Sequence, residues 1–66
     1  MIKKNGVSFI VTVFNKELFI EKTLQSVKKN LFGNNQIIII DDGSTDNSVD
    51  KIRNFIKRNH KINIKL

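Results

Sequence analysis

Two almost unbroken apolar runs stand on either side of a segment with a different period, and that alternation limits what this chain can fold into more than any other feature. Val7 to Phe14 is dominated by β-branched and aromatic residues, which suit a pleated strand, and its near-continuous apolarity predicts burial on both faces. Asn15 breaks the run. From Lys16 onward, Ile20, Leu24, Val27 and Leu31 recur at three- and four-residue intervals, with Glu17, Glu21, Lys22, Lys28 and Lys29 between them, as in an amphipathic helix. Asn15 is the expected N-cap, the acids and bases complement the helix dipole, and Gly33 to Asn35 is the expected stop. Gln36 to Asp41 returns to the strand pattern, again with two-sided burial expected. Val49, Ile52 and Ile56, with Phe55 alongside, predict a second helix from about Asn47 to Arg58 capped by Asp46 or Ser44, and Ile62 to Leu66 alternates as a short third strand.

Apolar strands joined by helices imply a parallel sheet with right-handed crossovers. The fold class is therefore α/β, a partial doubly wound, Rossmann-like sheet in the order β-α-β-α-β. All 66 residues fit one domain, without proline or cysteine and with one histidine, His60. A disulfide framework is excluded, and a zinc site lacks its soft ligands. Chains this short bury only about 60% of their unfolded surface, so the size predicts a piece of a larger domain or an obligate oligomer.

Twelve Lys and Arg against six Asp and Glu leave a formal charge of +6. Such a balance suits an anionic partner, whether a nucleotide phosphate, a nucleic acid or an anionic lipid surface. In the last third, Lys51, Arg53, Lys57, Arg58, Lys61 and Lys65 are spaced so that several fall on the outer face of a helix, which reads as a solvated face. Lys3 and Lys4 precede "VSFIVTVF", but that run is short and has no small-residue cleavage site. No apolar stretch approaches the ~20 residues of a membrane span, so a soluble, cytoplasmic chain is expected.

The chemistry is concentrated in "IIIIDDGSTDNS", Ile37 to Ser48. In open α/β sheets ligands bind beyond the carboxyl ends of the strands, where "TVFN" and "DDGSTD" both lie. Adjacent strand residues point to opposite faces, so Asp41 and Asp42 cannot both aim at one metal, and one is expected to face the cleft. Gly43 permits a sharp turn, and Ser44 and Thr45 offer hydroxyls and amides. Read as structure alone, Asp42 is a turn residue, Phe14 a core ring and Asp46 a cap. A haloacid-dehalogenase phosphatase would want its two aspartates separated by one residue, whereas Asp41 and Asp42 are adjacent, and a receiver domain carries its acidic pair after its first strand. The glycines fit neither G-x-G-x-x-G nor G-x-x-x-x-G-K-[ST].

"VSFIVTVFNKELFIEKTLQSV" followed by "QIIIIDDGSTDNSVDKI" closely resembles the start of the family 2 glycosyltransferases, inverting nucleotide-sugar enzymes with a GT-A fold, over Val7 to about Phe55. The resemblance implies that Thr12, Val13, Phe14 and Asn15 line the pocket for base and ribose. Thr12 and Phe14 stand where that family usually has Pro and Tyr, so the flat ring is kept and the hydroxyl lost. It implies that Asp42 accepts a hydrogen bond from the base, which suits the imide of uracil and hence a UDP-sugar. Asp41, Gly43 and Ser44 complete the motif, with Asp41 supporting the loop. The family's metal-binding Asp-x-Asp and its catalytic base come after the stretch matched here. No catalytic or metal-binding residue is therefore assigned, Mg or Mn is expected only of the full-length enzyme, and the chain alone is expected to be inactive.

The implied reaction of the parent is transfer of a sugar from a nucleotide-diphospho-sugar to an acceptor hydroxyl with inversion, with peripheral membrane association. Since the first strand is interior in that family, this chain standing alone is expected to leave Val7 to Phe14 as an open edge and to form a homo-oligomer through it. The alternatives are a non-catalytic α/β dimerisation or regulatory module and a phosphatase-like hydrolase. Nucleic-acid binding rests on charge alone, because the aromatics read as internal.

Overall fold

The two apolar runs lie side by side in the computed structural model, which describes residues 2–5, 8–31 and 35–66; Val7, Gly33 and Asn34 fall outside them. The elements are β1 (Ile2–Asn5), β2 (Ser8–Val13), α1 (Ile20–Lys29), β3 (Gln36–Asp41), α2 (Ser48–Arg58) and β4 (Ile64–Lys65). They form one sheet in the order β1-β2-β3-β4. β2, β3 and β4 are parallel, joined by α1 and α2, as the alternation of periods predicts. The β2–β3 register runs from Ser8 opposite Gln36 to Val13 opposite Asp41, so the segments carrying Phe14 and Asp42 leave the sheet together.

Alternation along the strands decides what is buried. Val11 and Val13 of β2 and Ile37 and Ile39 of β3 pack against Ile20, Leu24 and Val27 of α1 and Ile52 and Phe55 of α2, and all are nearly sealed from solvent. Burial of each large side chain contributes about 1.5–3 kcal/mol. The expected two-sided burial is not observed. The chain advances in one direction from β2 to β3 to β4, and two right-handed crossovers made in one direction put both helices on one side. The other face carries Ser8, Ile10 and Thr12 beside Gln36, Ile38 and Ile40, with Ile40 51% exposed.

The expected open edge is also corrected. β1 pairs antiparallel with β2 from Ile2 opposite Val11 to Asn5 opposite Ser8, so most of that edge has its backbone partners. Self-association through it loses its physical basis. The expected third strand shrinks to Ile64–Lys65, paired with Ile37 and Ile38.

The helix ends differ from expectation for local reasons. α1 begins at Ile20, after a turn in which the Lys16 carbonyl accepts from the amides of Phe19 at 2.9 Å and Ile20 at 2.7 Å. Asn15 does not cap it: its φ is 49°, in the left-handed region that Asn tolerates, and its carboxamide is used elsewhere. At the far end the helix stops at Lys29, and the Asn30 carboxamide donates to the Ser26 carbonyl at 2.8 Å. Leu31, though past the helix, still packs on the core.

Candidate functional site

Three consecutive amides after β2 find side-chain acceptors in the turn after β3. Asn15 N–H donates to Ser44 Oγ at 2.9 Å, Lys16 N–H to Ser48 Oγ at 2.8 Å, and Glu17 N–H to Asp46 Oδ2 at 3.1 Å. In return Asn15 Oδ1 accepts from the Thr45 amide at 2.8 Å, and the Glu17 carbonyl accepts from Lys51 Nζ at 2.8 Å. The two loops are thereby one rigid unit. "NKE" cannot continue β2 or yet enter α1, and its amides would stay unpaired without these acceptors.

Each polar residue of the turn has a distinct place. The Asp41 carboxylate accepts from the Ser44 amide at 3.0 Å and from its hydroxyl at 2.5 Å, folding the turn back on the strand end. Its role is to support the loop. Gly43 has φ 77°, where a side chain would be strained. Asp46 Oδ1 accepts from the Ser48 amide at 2.9 Å, so it serves the start of α2 while its other oxygen holds Glu17. Partial desolvation acts to raise the Asp46 carboxyl, but hydrogen bonds from the Ser48 side chain and the Ser48 and Glu17 amides outweigh it, and the group is held below its ordinary value. Ser48 is fully buried.

This scaffold leaves a depression of about 340 Å³ beyond the strand ends, lined by Thr12, Val13, Phe14, Lys16 and Asp42. The Asp42 amide donates to the Val13 carbonyl at 2.8 Å, continuing the ladder one residue past β3. Its carboxylate is exposed and, among the described residues, has no hydrogen bond or ion pair. The Phe14 ring is 54% exposed, so it is a surface ring and not a core ring. Of the eight residues singled out from sequence, Thr12, Val13, Phe14 and Asp42 line the depression, Asn15, Asp41 and Ser44 lock the loops, and Gly43 makes the turn. Lys16 was not among them. Its signal was its place directly after Asn15, in the strand-end loop, as a lone cation beside the acidic pair.

The residues at hand do not suit a divalent cation. Asp41 is committed to Ser44, Asp42 stands alone, and among the described residues no three or more His, Cys, Asp or Glu side chains gather to hold a metal ion.

The model of Glycosyl transferase family 2 matches residues 8–66 of this chain. The chain belongs to that family. Its relatives include an uncharacterized glycosyltransferase of Haemophilus influenzae, 33% identical over 58 residues, which are 88% of this chain and 23% of that protein. The poly-beta-1,6-N-acetyl-D-glucosamine synthase of Staphylococcus epidermidis is 40% identical over 83% of this chain and 13% of its own length. Glycosyltransferase GlyA of Streptococcus pneumoniae is 32% identical over 94% of this chain and 9% of its own. The chain thus spans less than a quarter of each of these relatives. No solved structure matches it. Both stretches quoted above fall within the matched residues apart from Val7, so the family 2 match takes in the β2 loop and the β3 turn together.

Proposed function

We propose that this chain supplies the nucleotide-recognition part of an inverting family 2 glycosyltransferase that takes its sugar from a UDP-sugar and passes it to an acceptor hydroxyl. One observation carries the reading: Phe14 and Asp42, 28 positions apart in sequence, lie on the same depression at the carboxyl ends of adjacent strands. The ring offers an apolar face to a base, and the uncommitted carboxylate can accept from the imide N–H of uracil. Lys16 on the same rim suits the negative diphosphate. Thr12 and Val13 form the floor, while Asn15, Asp41, Gly43 and Ser44 hold the rim in place.

The Mg or Mn of the full enzyme and its catalytic base belong with residues other than those described, and no step is assigned to them here. The chain by itself binds without turning over. A cytoplasmic location goes with this reading, and among the described residues no helix is long and apolar enough to cross a membrane.

Titration of the chain with UDP, followed through amide chemical shifts, tests the proposal. Shifts should concentrate at residues 12–16 and 42–44 without added Mn, and Asp42→Ala should weaken binding roughly 10- to 150-fold, the loss expected for one hydrogen bond to a charged acceptor. Equal affinity in the variant, or shifts centred elsewhere, would overturn it.

A further inference from the structure

The aspartates of this chain, at positions 41, 42, 46 and 50, are not equally occupied. Asp41 holds the amide and hydroxyl of Ser44, and Asp46 holds the amides of Glu17 and Ser48. Asp50 is in the first turn of α2, where the amide that follows it, that of Lys51, donates to the Asn47 carbonyl at 3.1 Å. Asp42 differs from all of them. It is exposed, its carboxylate has no hydrogen bond or ion pair among the described residues, and the residue after it is Gly43, also exposed. The Gly43 amide likewise has no hydrogen-bond acceptor among the described residues.

We propose that Asp42 is a site of spontaneous backbone modification, at which the folded chain converts an aspartyl to an isoaspartyl linkage through a cyclic imide. The Gly43 nitrogen attacks Cγ of the protonated Asp42 carboxyl. An N–Cγ bond forms, the Cγ–OH bond breaks, and the hydroxyl leaves with the amide proton as water, closing a five-membered ring. Water then adds back. Addition at Cγ breaks the new bond and restores aspartate; addition at the main-chain carbonyl breaks the original peptide C–N bond, so that the chain runs through Cγ and a free carboxylate remains on Cα. Only water leaves and enters, and the product has the mass of the starting chain. Glycine favours the attack because it has no Cβ to crowd the nitrogen, and the space beside Gly43 is open for 4 Å. Ring closure rotates the main chain of Asp42, whose own backbone bond is the one from its amide to the Val13 carbonyl at 2.8 Å. Losing that bond should slow the folded chain no more than about tenfold relative to the unfolded one. Asp42 lines the depression with Thr12, Val13, Phe14 and Lys16, so the conversion draws its carboxylate back onto the main chain and inserts a methylene at the rim. The proposal does not depend on the nucleotide reading.

Ageing of the 66-residue chain at neutral pH and physiological temperature tests it, with circular dichroism to follow the fold and tryptic mapping by fragmentation that separates aspartyl from isoaspartyl residues. The peptide 30–51 carries every aspartate of the chain. A second form of that peptide, of unchanged mass, should appear with isoaspartate at position 42 ahead of positions 41, 46 and 50, at a rate within about tenfold of the chain unfolded in guanidinium chloride. Asp42→Glu, which would need a six-membered ring, should remove this form. Asp42→Asn should pass through the same ring with ammonia leaving and gain the mass difference between amide and acid. The proposal is overturned by isoaspartate that appears first at position 41, 46 or 50, by a folded rate lower than that tenfold margin, by persistence of the second form in Asp42→Glu, or by an unchanged mass in aged Asp42→Asn.

Discussion

The amide of Lys16 donates to the buried hydroxyl of Ser48 at 2.8 Å, across 32 positions of sequence. That bond joins the exit of β2 to the first residue of α2 and makes one rigid unit of the loops that carry Phe14 and Asp42. Ser48→Ala would strand a part-buried N–H, which costs about 1–3 kcal/mol. For a domain this small each kcal/mol lowers Tm by roughly 4–8 °C. Thermal unfolding of the variant should show that drop, and a Tm within a degree or two of the parent would mean that the bond does not hold the loops.

Acid should weaken the same unit. The folded Asp46 carboxyl lies below its unfolded value of about 3.9, so its contribution is present above that pH and is lost as pH falls through the lower, folded value. Glu21 is also lowered, by the hydrogen bond and then the charge of Arg58, and acts in the same direction below its ordinary carboxyl range. Urea midpoints measured from pH 6 downward should show a shallower acid slope for Asp46→Asn than for the parent. Added salt should mute the Glu21 share, which belongs to an exposed pair. Superimposable slopes in Asp46→Asn and parent would contradict the assignment.

Neighbouring isoleucines should respond in opposite ways. Ile39 is 2% exposed and Ile40 51%, because consecutive strand residues face opposite sides and only one side carries helices. Ile39→Ala should cost about 2–5 kcal/mol, enough to abolish a cooperative transition in a marginal domain. Ile40→Ala should stay within about 1 kcal/mol. Similar losses at both positions would mean that the second face is also covered.

Gly43→Ala isolates backbone strain. A Cβ there would meet nothing within 4 Å, yet φ is 77°, so the cost is conformational alone, about 1–2 kcal/mol. Gly43→Asn should recover part of it, since Asn tolerates the left-handed region. Equal stability of the alanine variant and the parent would show that the turn relaxes to another conformation.

From the residues alone, the period change at Asn15 and its reversal at Gln36 established the strands and helices from β2 onward and their order, but not β1, because burial on one stripe or one face imposes its own spacing on the sequence. The motifs also located the two loops that border the depression, since a strand that ends in Asn or Asp-Asp-Gly must turn there. What the sequence could not settle depended on partners far away in the chain. Ile37 to Ile40 read as buried on both faces because apolarity records what a side chain tolerates, while the direction of the crossovers decides which face receives helices. Asn15 read as a cap because its preference is local; the tertiary fold brought Thr45 within its reach and sent its carboxamide there. Ser44, Asp46 and Ser48 resembled an ordinary turn and cap, and only the adjacency of β2 and β3 turned their oxygens into acceptors for three amides some thirty residues earlier. Spacing in sequence encodes periodic burial, whereas a hydrogen bond between loops is set by the register of the strands beneath them.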